Sequence, residues 1–573
     1  MENMIPRAEY PRPQLVRDSY ICLNGTWMFE IDHGKTGRER GLVNAETLSQ
    51  EIVVPFCPES KLSGIEYKDF MASVWYKREI DVTPAAGKRY LLHIGACDYS
   101  CEVYVNGASC GVHYGGSIPV DHDITDKLVV GKNVITICAE DDTRSGKQPI
   151  GKQSAEFSSA GCSYTRTTGI WQTVWMEEVP DAYISHIKAT PNAETGEVYY
   201  EITCENANGM VLTCSASFEG EDMGSAGTTV MGKVARFVLP LKEKHLWDIG
   251  QGNLYDVSLL LGEDAVSSYF GLRDVYYDGR AMVLNGRRVY QRLVLDQGFY
   301  PDGIWTAPTD DELRADVERS MAMGFNGARL HQKVFEPRFL YYCDRLGYIV
   351  WGEHGNWGLD LSLPTCWAGF LPEWLEILRR DYNHPAIIGW CPLNETQGNQ
   401  DTRFVTMLYD MTKAYDPMRM FIDCSGWSHV KTEVMDEHNY DPDPERSRAY
   451  YAPLEEGNEP NRKNRFTGIQ VPASVTFISE YGGIGLDLDK DWLALYEGSW
   501  GHGMIPKTEE EFLARIKALT DVLLDNKALS AYCYTQLTDI EQERNGLYYY
   551  DRRPKFDPAL IYPIFSRKAA IED

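Results

Sequence analysis

The second half of the chain constrains the fold most. From about residue 276, eight short apolar segments alternate with helical patterns: RLVLDQGF (292–299), GFNGARLH (324–331), GYIVWGEH (347–354), AIIGWCPLNE (386–395), RMFIDCSG (419–426), TEVMDEHNY (432–440), SVTFISEYGG (474–483) and LSAYCYTQLTD (529–539). Continuous apolar runs fit strands covered on both faces, the condition of a parallel sheet. Thr309-Asp-Asp-Glu312 and Thr508-Glu-Glu-Glu511 open two intervening helices as capping boxes, whose side chains satisfy the free amides of a first turn. Eight such units in roughly 300 residues predict a (β/α)8 TIM barrel over 276–573. Each apolar run ends on polar or charged residues, and in this barrel type the carboxyl ends of the strands form the reactive face.

The preceding residues read differently. WYKREIDV (75–82), KRYLLHIG (88–95), CEVYVNG (101–107) and KNVITICAE (132–140) are strand-like, and no convincing helix interrupts them. Asn106-Gly107 is a two-residue hairpin signal, because both residues tolerate the positive φ of a type I′ turn. A β-sandwich is predicted over 1–180. Some seven shorter strands over 181–275 predict an immunoglobulin-like β-sandwich, architecturally only, since paired inter-sheet cysteines with a strand tryptophan are missing.

Charge narrows the partners. There are 84 acidic and 56 basic residues among 573, a net charge of −28. Such a chain repels phosphate backbones and anionic lipid, which argues against nucleic acid and membrane partners. No apolar run approaches the length of a membrane span, and the first twenty residues show no secretion signal. The 14 cysteines are scattered without a CxxC pair and read as reduced, so a cytoplasmic location is expected. No HExxH, cysteine cluster or EF-hand loop occurs, and neither a metal nor another cofactor is expected. A homo-oligomer is compatible with the sequence.

The strand ends carry the chemistry. Glu395 closes the fourth apolar run and Glu480 lies near the end of the seventh, so both project into one mouth from opposing sides of the ring. Two carboxylates facing each other serve glycoside hydrolysis, retaining at about 5–5.5 Å separation and inverting when a water fits between them. The competing reading makes each a structural ion pair with a barrel arginine.

NHPAIIGWCPLNE (383–395) and VTFISEYGG (475–483) resemble the acid/base and nucleophile signatures of glycoside hydrolase family 2, which includes β-galactosidases, β-glucuronidases and β-mannosidases. The likeness spans almost the whole chain. LNGTW (23–27), VPFCPESKLSGI (54–65), VWYKREI (74–80), VYVNG (103–107) and TGIWQTVWME (168–177) resemble its jelly-roll, sugar-binding type sandwich; FGLRDV (270–275) resembles the entry to its barrel. The resemblance implies Glu395 as general acid/base, Glu480 as nucleophile, Asn394 on the sugar 2-hydroxyl, and Tyr440 donating to Glu480. It also implies a substrate contact from His331, while His438, two residues before Tyr440, falls on the same strand face and is expected to reach the site too. Glu353 is open between a sugar hydroxyl and an arginine. Trp500 and Tyr534 are candidates for stacking on the sugar, and Gln536 for reading a hydroxyl, whereas Trp27, Trp171 and Trp175 read as core. The chemistry asks for Glu480 ionised and Glu395 protonated near neutral pH.

The implied activity is a retaining exo-glycosidase acting on terminal β-linked sugars of small glycosides or oligosaccharides, nominally β-galactosidase-like. Alternatives are a pentosidase, a galactofuranosidase, a uronidase, or a sugar-binding protein without catalysis. β-Glucuronidases of the family carry Asn-x-Lys for the sugar carboxylate; the matching Glu543-Arg544-Asn545 lacks the lysine and argues against that sugar. β-Galactosidases place a first-domain aspartate in the pocket; Ser163, six residues before Gly169, occupies that position, with Tyr164 and Arg166 nearby.

Overall fold

The computed structural model describes residues 5–396, 400–460, 475–486 and 498–572. All eight expected barrel strands are present: β1 (Gln291–Asp296), β2 (Gly327–Leu330), β3 (Ile349–Glu353), β4 (Ile387–Cys391), β5 (Met420–Phe421), β6 (Val434–Asn439), β7 (Val475–Gly482) and β8 (Leu529–Thr535). Neighbours pair in parallel from β1 to β5 and from β6 through β8 back to β1. No ladder joins β5 to β6 among the described residues. The physical reason is local: beyond β5 the Asp423 carboxylate accepts from the amides of Val430 and Lys431 at 2.6 and 2.8 Å, turning the chain off the ring. β5 is therefore shorter than its apolar run suggests.

The barrel interior is packed with large rings. Gly389 of β4 lies against the Trp351 indole, where a Cβ would fall 2.3 Å from the ring, so only glycine admits Trp351 there. Both N-caps form, Thr309 accepting from the Glu312 amide at the start of Asp310–Ala322 and Thr508 from the Glu511 amide at the start of Glu509–Asp525, but the return bonds of a capping box do not, because Glu312 accepts from Arg319 and Glu511 from the Lys507 amide. A three-stranded antiparallel sheet over 275–289 precedes β1, and its Met282, Leu284 and Val289 join the barrel core. The sequence reading had merged this segment into the barrel.

Upstream, strands between Tyr20 and Pro180 form a six-stranded and a four-stranded sheet around one apolar core. Asn106 and Gly107 turn at φ 51° and 80° between Ser100–Val105 and Ala108–Tyr114, as the hairpin signal required. Trp27, Trp171 and Trp175 are buried. Strands between Tyr183 and Phe270 form a second sandwich of three and four strands with its own core.

The first sandwich reaches the barrel mouth through its segment 141–168. The Ile150 amide donates to the Trp357 carbonyl at 2.9 Å. Gly151, at φ 58°, presses on the Gln332 carbonyl so closely that a Cβ would sit 2.2 Å from the oxygen. Farther on, the Tyr164 hydroxyl donates to Glu543, Thr165 Oγ1 donates to Glu541 at 2.5 Å, and Gln542 Nε2 donates to the Gly161 and Ser163 carbonyls at 2.8 and 3.1 Å. One wall of the mouth thus comes from outside the barrel.

Candidate active site

Glu480 lies near the carboxyl end of β7, and Glu395 lies four residues beyond β4. Glu395 sits in the left-handed region at φ 50°, an uncommon conformation for a residue with a Cβ. Its amide is tied to the Ser425 carbonyl at 2.9 Å, which holds the turn. The two glutamates face each other across His438: one oxygen from each carboxylate and one His438 ring nitrogen all lie within 4.8 Å of one another. Among the described residues this is the one trio gathered tightly enough for a cation, but His438 Nδ1 already bonds Glu395 Oε1 at 2.7 Å and lies 3.3 Å from Glu480 Oε2.

Around Glu480 the donors are orderly. Tyr440 donates to Oε2 at 2.6 Å and contacts Thr535 Oγ1 at 3.0 Å. On the other oxygen, Arg329 Nη1 approaches Oε1 at 3.3 Å. Arg329 of β2 is fully buried and organises much of the site. It donates to Glu353, to the Ser479 carbonyl at 2.8 Å, to Asn394 Oδ1 at 2.8 Å and to His331 Nδ1 at 3.1 Å. Accepting at Nδ1 leaves the His331 proton on Nε2. Burial, reinforced by the positive charge of Lys152, holds His331 far below the ordinary histidine value, so it is neutral.

Glu353 takes the arginine rather than a free place in the mouth: besides Arg329 it accepts from the Gln332 amide at 3.3 Å, and burial raises its carboxyl above the usual range. Asn394 is fixed by Asn356 Oδ1, which accepts its amide at 2.8 Å, while its buried Nδ2 has no partner among the described residues. That free donor fits a sugar hydroxyl. Trp500 is half-buried on the rim, with Nε1 donating to the Gly161 carbonyl at 2.7 Å. Tyr534 is placed elsewhere: its ring is fully buried against Gly482 and Phe565 in the barrel core. Gln536 is buried beneath the mouth, accepting from Gln297, with Nε2 unpartnered among the described residues. Arg166 is spent on backbone, donating to the carbonyls of Ser154, Glu156, Lys68 and Phe157.

The protonation pattern differs from the simple requirement of a neutral Glu395. Burial pushes its carboxyl up, but the bonded His438, with Lys152 and Arg329 behind it, outweighs burial and holds Glu395 below the usual carboxylate range. His438 moves oppositely: burial lowers it, and the charges of Glu480 and Glu395 raise it overall above an ordinary histidine. The proton needed at Glu395 is therefore stored one hydrogen bond away.

Three groups at the site escaped the sequence reading. Arg329 stands two residues before His331, the spacing that places two strand residues on one face, so that signal was available. His502 stacks on Tyr440 with ring centroids 3.7 Å apart, and Lys152 comes from the first sandwich; neither proximity has a local signal.

Comparison with known proteins agrees with this architecture. The profile "Glycosyl hydrolases family 2" matches residues 182–273, and "Glycosyl hydrolases family 2, TIM barrel domain" matches 280–441. A Formosa agariphila protein provisionally named a β-glucuronidase is 30% identical over 60% of this chain and 44% of its own length. A β-galactosidase of Bacteroides ovatus is 28% identical over 56% of this chain and 39% of its own. The chain thus spans less than half the length of these two relatives. The β-glucuronidase of Ruminococcus gnavus superposes with a TM-score of 0.79 at 17% identity, covering 98% of this chain and 100% of the other, a likeness of fold. Over residues 182–273 and 280–441 the chain is similar to glycoside hydrolase family 2.

Proposed function

We propose that this chain is a retaining exo-β-glycosidase that cleaves terminal β-linked sugars from small glycosides by double displacement. The observation that carries the reading is the carboxylate pair, with oxygens of Glu395 and Glu480 within 4.8 Å. Oxygens this close favour the short carboxyl separation of retaining enzymes, about 5–5.5 Å, over the roughly 6.5–9.5 Å that an inverting enzyme needs to seat a water. Glu480, steered by Tyr440 and Arg329, attacks the anomeric carbon. Glu395 gives the leaving oxygen a proton that it receives from His438 Nδ1. Forming the glycosyl ester removes the negative charge of Glu480, and Glu395 then takes a proton from the incoming water. Asn394 Nδ2 and the Nε2–H of His331 are the donors for sugar hydroxyls. The wall formed by 150–165 closes one side of the mouth, which favours a chain end over a through-running polysaccharide.

The alternative of a binding protein without catalysis finds no support, since both carboxylates, their donors and a proton source stand together. Proton NMR of the first hemiacetal released from a nitrophenyl β-glycoside tests the mechanism. The β-anomer is expected before mutarotation, and Glu480→Ala should abolish its formation. Release of the α-anomer overturns the double displacement.

A further inference from the structure

One buried charge at the mouth is not used by this mechanism. Lys152, on the sandwich segment that walls the site, is only 7% exposed. Its Nζ stands over the Trp357 ring, 3.9 Å from the centroid, and among the described residues no carboxylate lies within 4 Å of it. A lysine ammonium offers three donors and no acceptor, and stripping water from an unpaired one is costly. The other buried cations nearby are engaged. Arg329 serves Glu353, Ser479, Asn394 and His331; Lys333 donates to the Gly298 and Trp305 carbonyls; Lys555 pairs with Asp539 at 2.7 Å. Among the described residues no hydrogen bond or ion pair engages the Lys152 ammonium, which keeps the aromatic face of Trp357.

Its backbone is seated with care. Gly151 packs on the Gln332 carbonyl, Ile150 bonds the Trp357 carbonyl, and Trp357 Nε1 reaches the Asn394 carbonyl at 3.3 Å, one residue from Glu395. The ammonium is close enough to influence Glu395, Glu543 and His331, in each case behind burial as the larger or opposing effect. Through Trp357, whose Nε1 bonds the Asn394 carbonyl, the ammonium stands on the side of the mouth next to Glu395. An anionic sugar entering a mouth that holds the Glu395–Glu480 pair, on a chain of net charge −28, needs a dedicated cation. The segment Glu543-Arg544-Asn545 does not supply it: Glu543 accepts from Tyr164 and from Asn545 Nδ2, and Arg544 Nε bonds the Glu541 carbonyl at 3.1 Å.

We propose that Lys152 is the specificity-determining residue that receives the carboxylate of a uronic acid, so that the glycosidase proposed above is a uronidase acting on terminal β-linked uronosides. The inference rests on that reading of the site. It replaces the nominal galactoside, for which the wall offers Ser163 in place of an acid, its carbonyl bonded to Gln542.

The test compares nitrophenyl β-glucuronide and β-galacturonide with their methyl esters, which keep the shape and lose the charge, and with the matching glucoside and galactoside. At least one free acid should exceed its ester in kcat/KM by a factor on the order of 100 in the natural protein, as expected for a buried charge pair. Lys152→Met should bring that ratio to within about fivefold of one, and Lys152→Arg should keep most of it. Because acid and ester are compared on the same variant, a general loss of folding cancels. A ratio that survives Lys152→Met overturns the proposal, as does a natural protein that prefers neutral glycosides or esters. Calorimetric binding of free glucuronate and galacturonate separates the two readings. Uronate binding lost in Lys152→Met without turnover of any glycoside discards the hydrolase and keeps the carboxylate site. Turnover of neutral glycosides alone discards the carboxylate site and keeps the hydrolase. Neither binding nor turnover discards both.

Discussion

Replacing His438 with asparagine removes the Nδ1–H that Glu395 Oε1 accepts at 2.7 Å and keeps a polar side chain of similar reach. The consequence follows from where one proton resides. In the natural protein His438 is raised despite burial, because Glu480 and Glu395 favour its charged form, and Glu395 is lowered chiefly by His438 against the opposing effect of burial. The pair keeps its proton until the pH passes the raised His438 value, so the alkaline limb of kcat/KM lies above the ordinary histidine range near about 6.5. In the variant, Glu395 must hold the proton alone, with Lys152 and Arg329 still opposing it. A hydrogen bond to a charged group contributes about 1.5–3 kcal/mol, and about 1.36 kcal/mol corresponds to one pH unit. The alkaline limb should therefore move toward acid by about one to two units. Initial rates between pH 4 and 10 on an alkyl and a nitrophenyl glycoside measure this. The alkyl substrate should show the full displacement, and the nitrophenyl substrate less, because its leaving group needs little proton assistance. An alkaline limb that stays in place while kcat falls would refute the proton-store role and leave His438 as a sugar contact. The sign carries over to stability: a raised histidine stabilises the fold fully below its unfolded value near about 6.5, and that contribution is lost as pH rises through the folded value.

Glu395→Ala should slow alkyl glycosides by about 10²–10⁴-fold, with a far smaller effect on activated aryl glycosides; steady-state rates across a leaving-group series check this, and equal slowing would remove Glu395 as the proton donor. Arg329→Met should destabilise the protein by about 3–5 kcal/mol, because it strands the Glu353 carboxylate in a buried position without a cation. Denaturant unfolding measures the loss, and adding Glu353→Gln should recover part of it; a single variant as stable as the natural protein would contradict the pairing.

The sequence shows some residues of the site far better than others. Glu395 and Glu480 are legible because each closes or nearly closes an apolar run, and a barrel strand has only one end at which a charged group can be both exposed to a ligand and held in register. Glu353 is equally legible as a strand end, yet its partner Arg329 was missed, although the period of two that places Arg329 beside His331 is plain in GARLH. Tyr534 illustrates the opposite difficulty: an aromatic residue on a barrel strand has the same local pattern whether it faces the mouth or packs on Phe565. Gln536 was placed near the right depth, but its Gln297 partner lies 239 positions away in sequence.

Periodicity and turn chemistry act over a few residues, so the chain alone determined the two sandwich types, the eight barrel strands, the capped helices and the acidic strand ends. Contacts between distant segments were decided by packing alone. The Glu395–Glu480 separation depends on how the ring closes, the stored proton on the approach of His438 to Glu395, and the Lys152 wall on a glycine of the first sandwich seated against a barrel carbonyl. Such contacts depend on distances between elements, which carry no local sequence signal because many unrelated sequences satisfy the same packing.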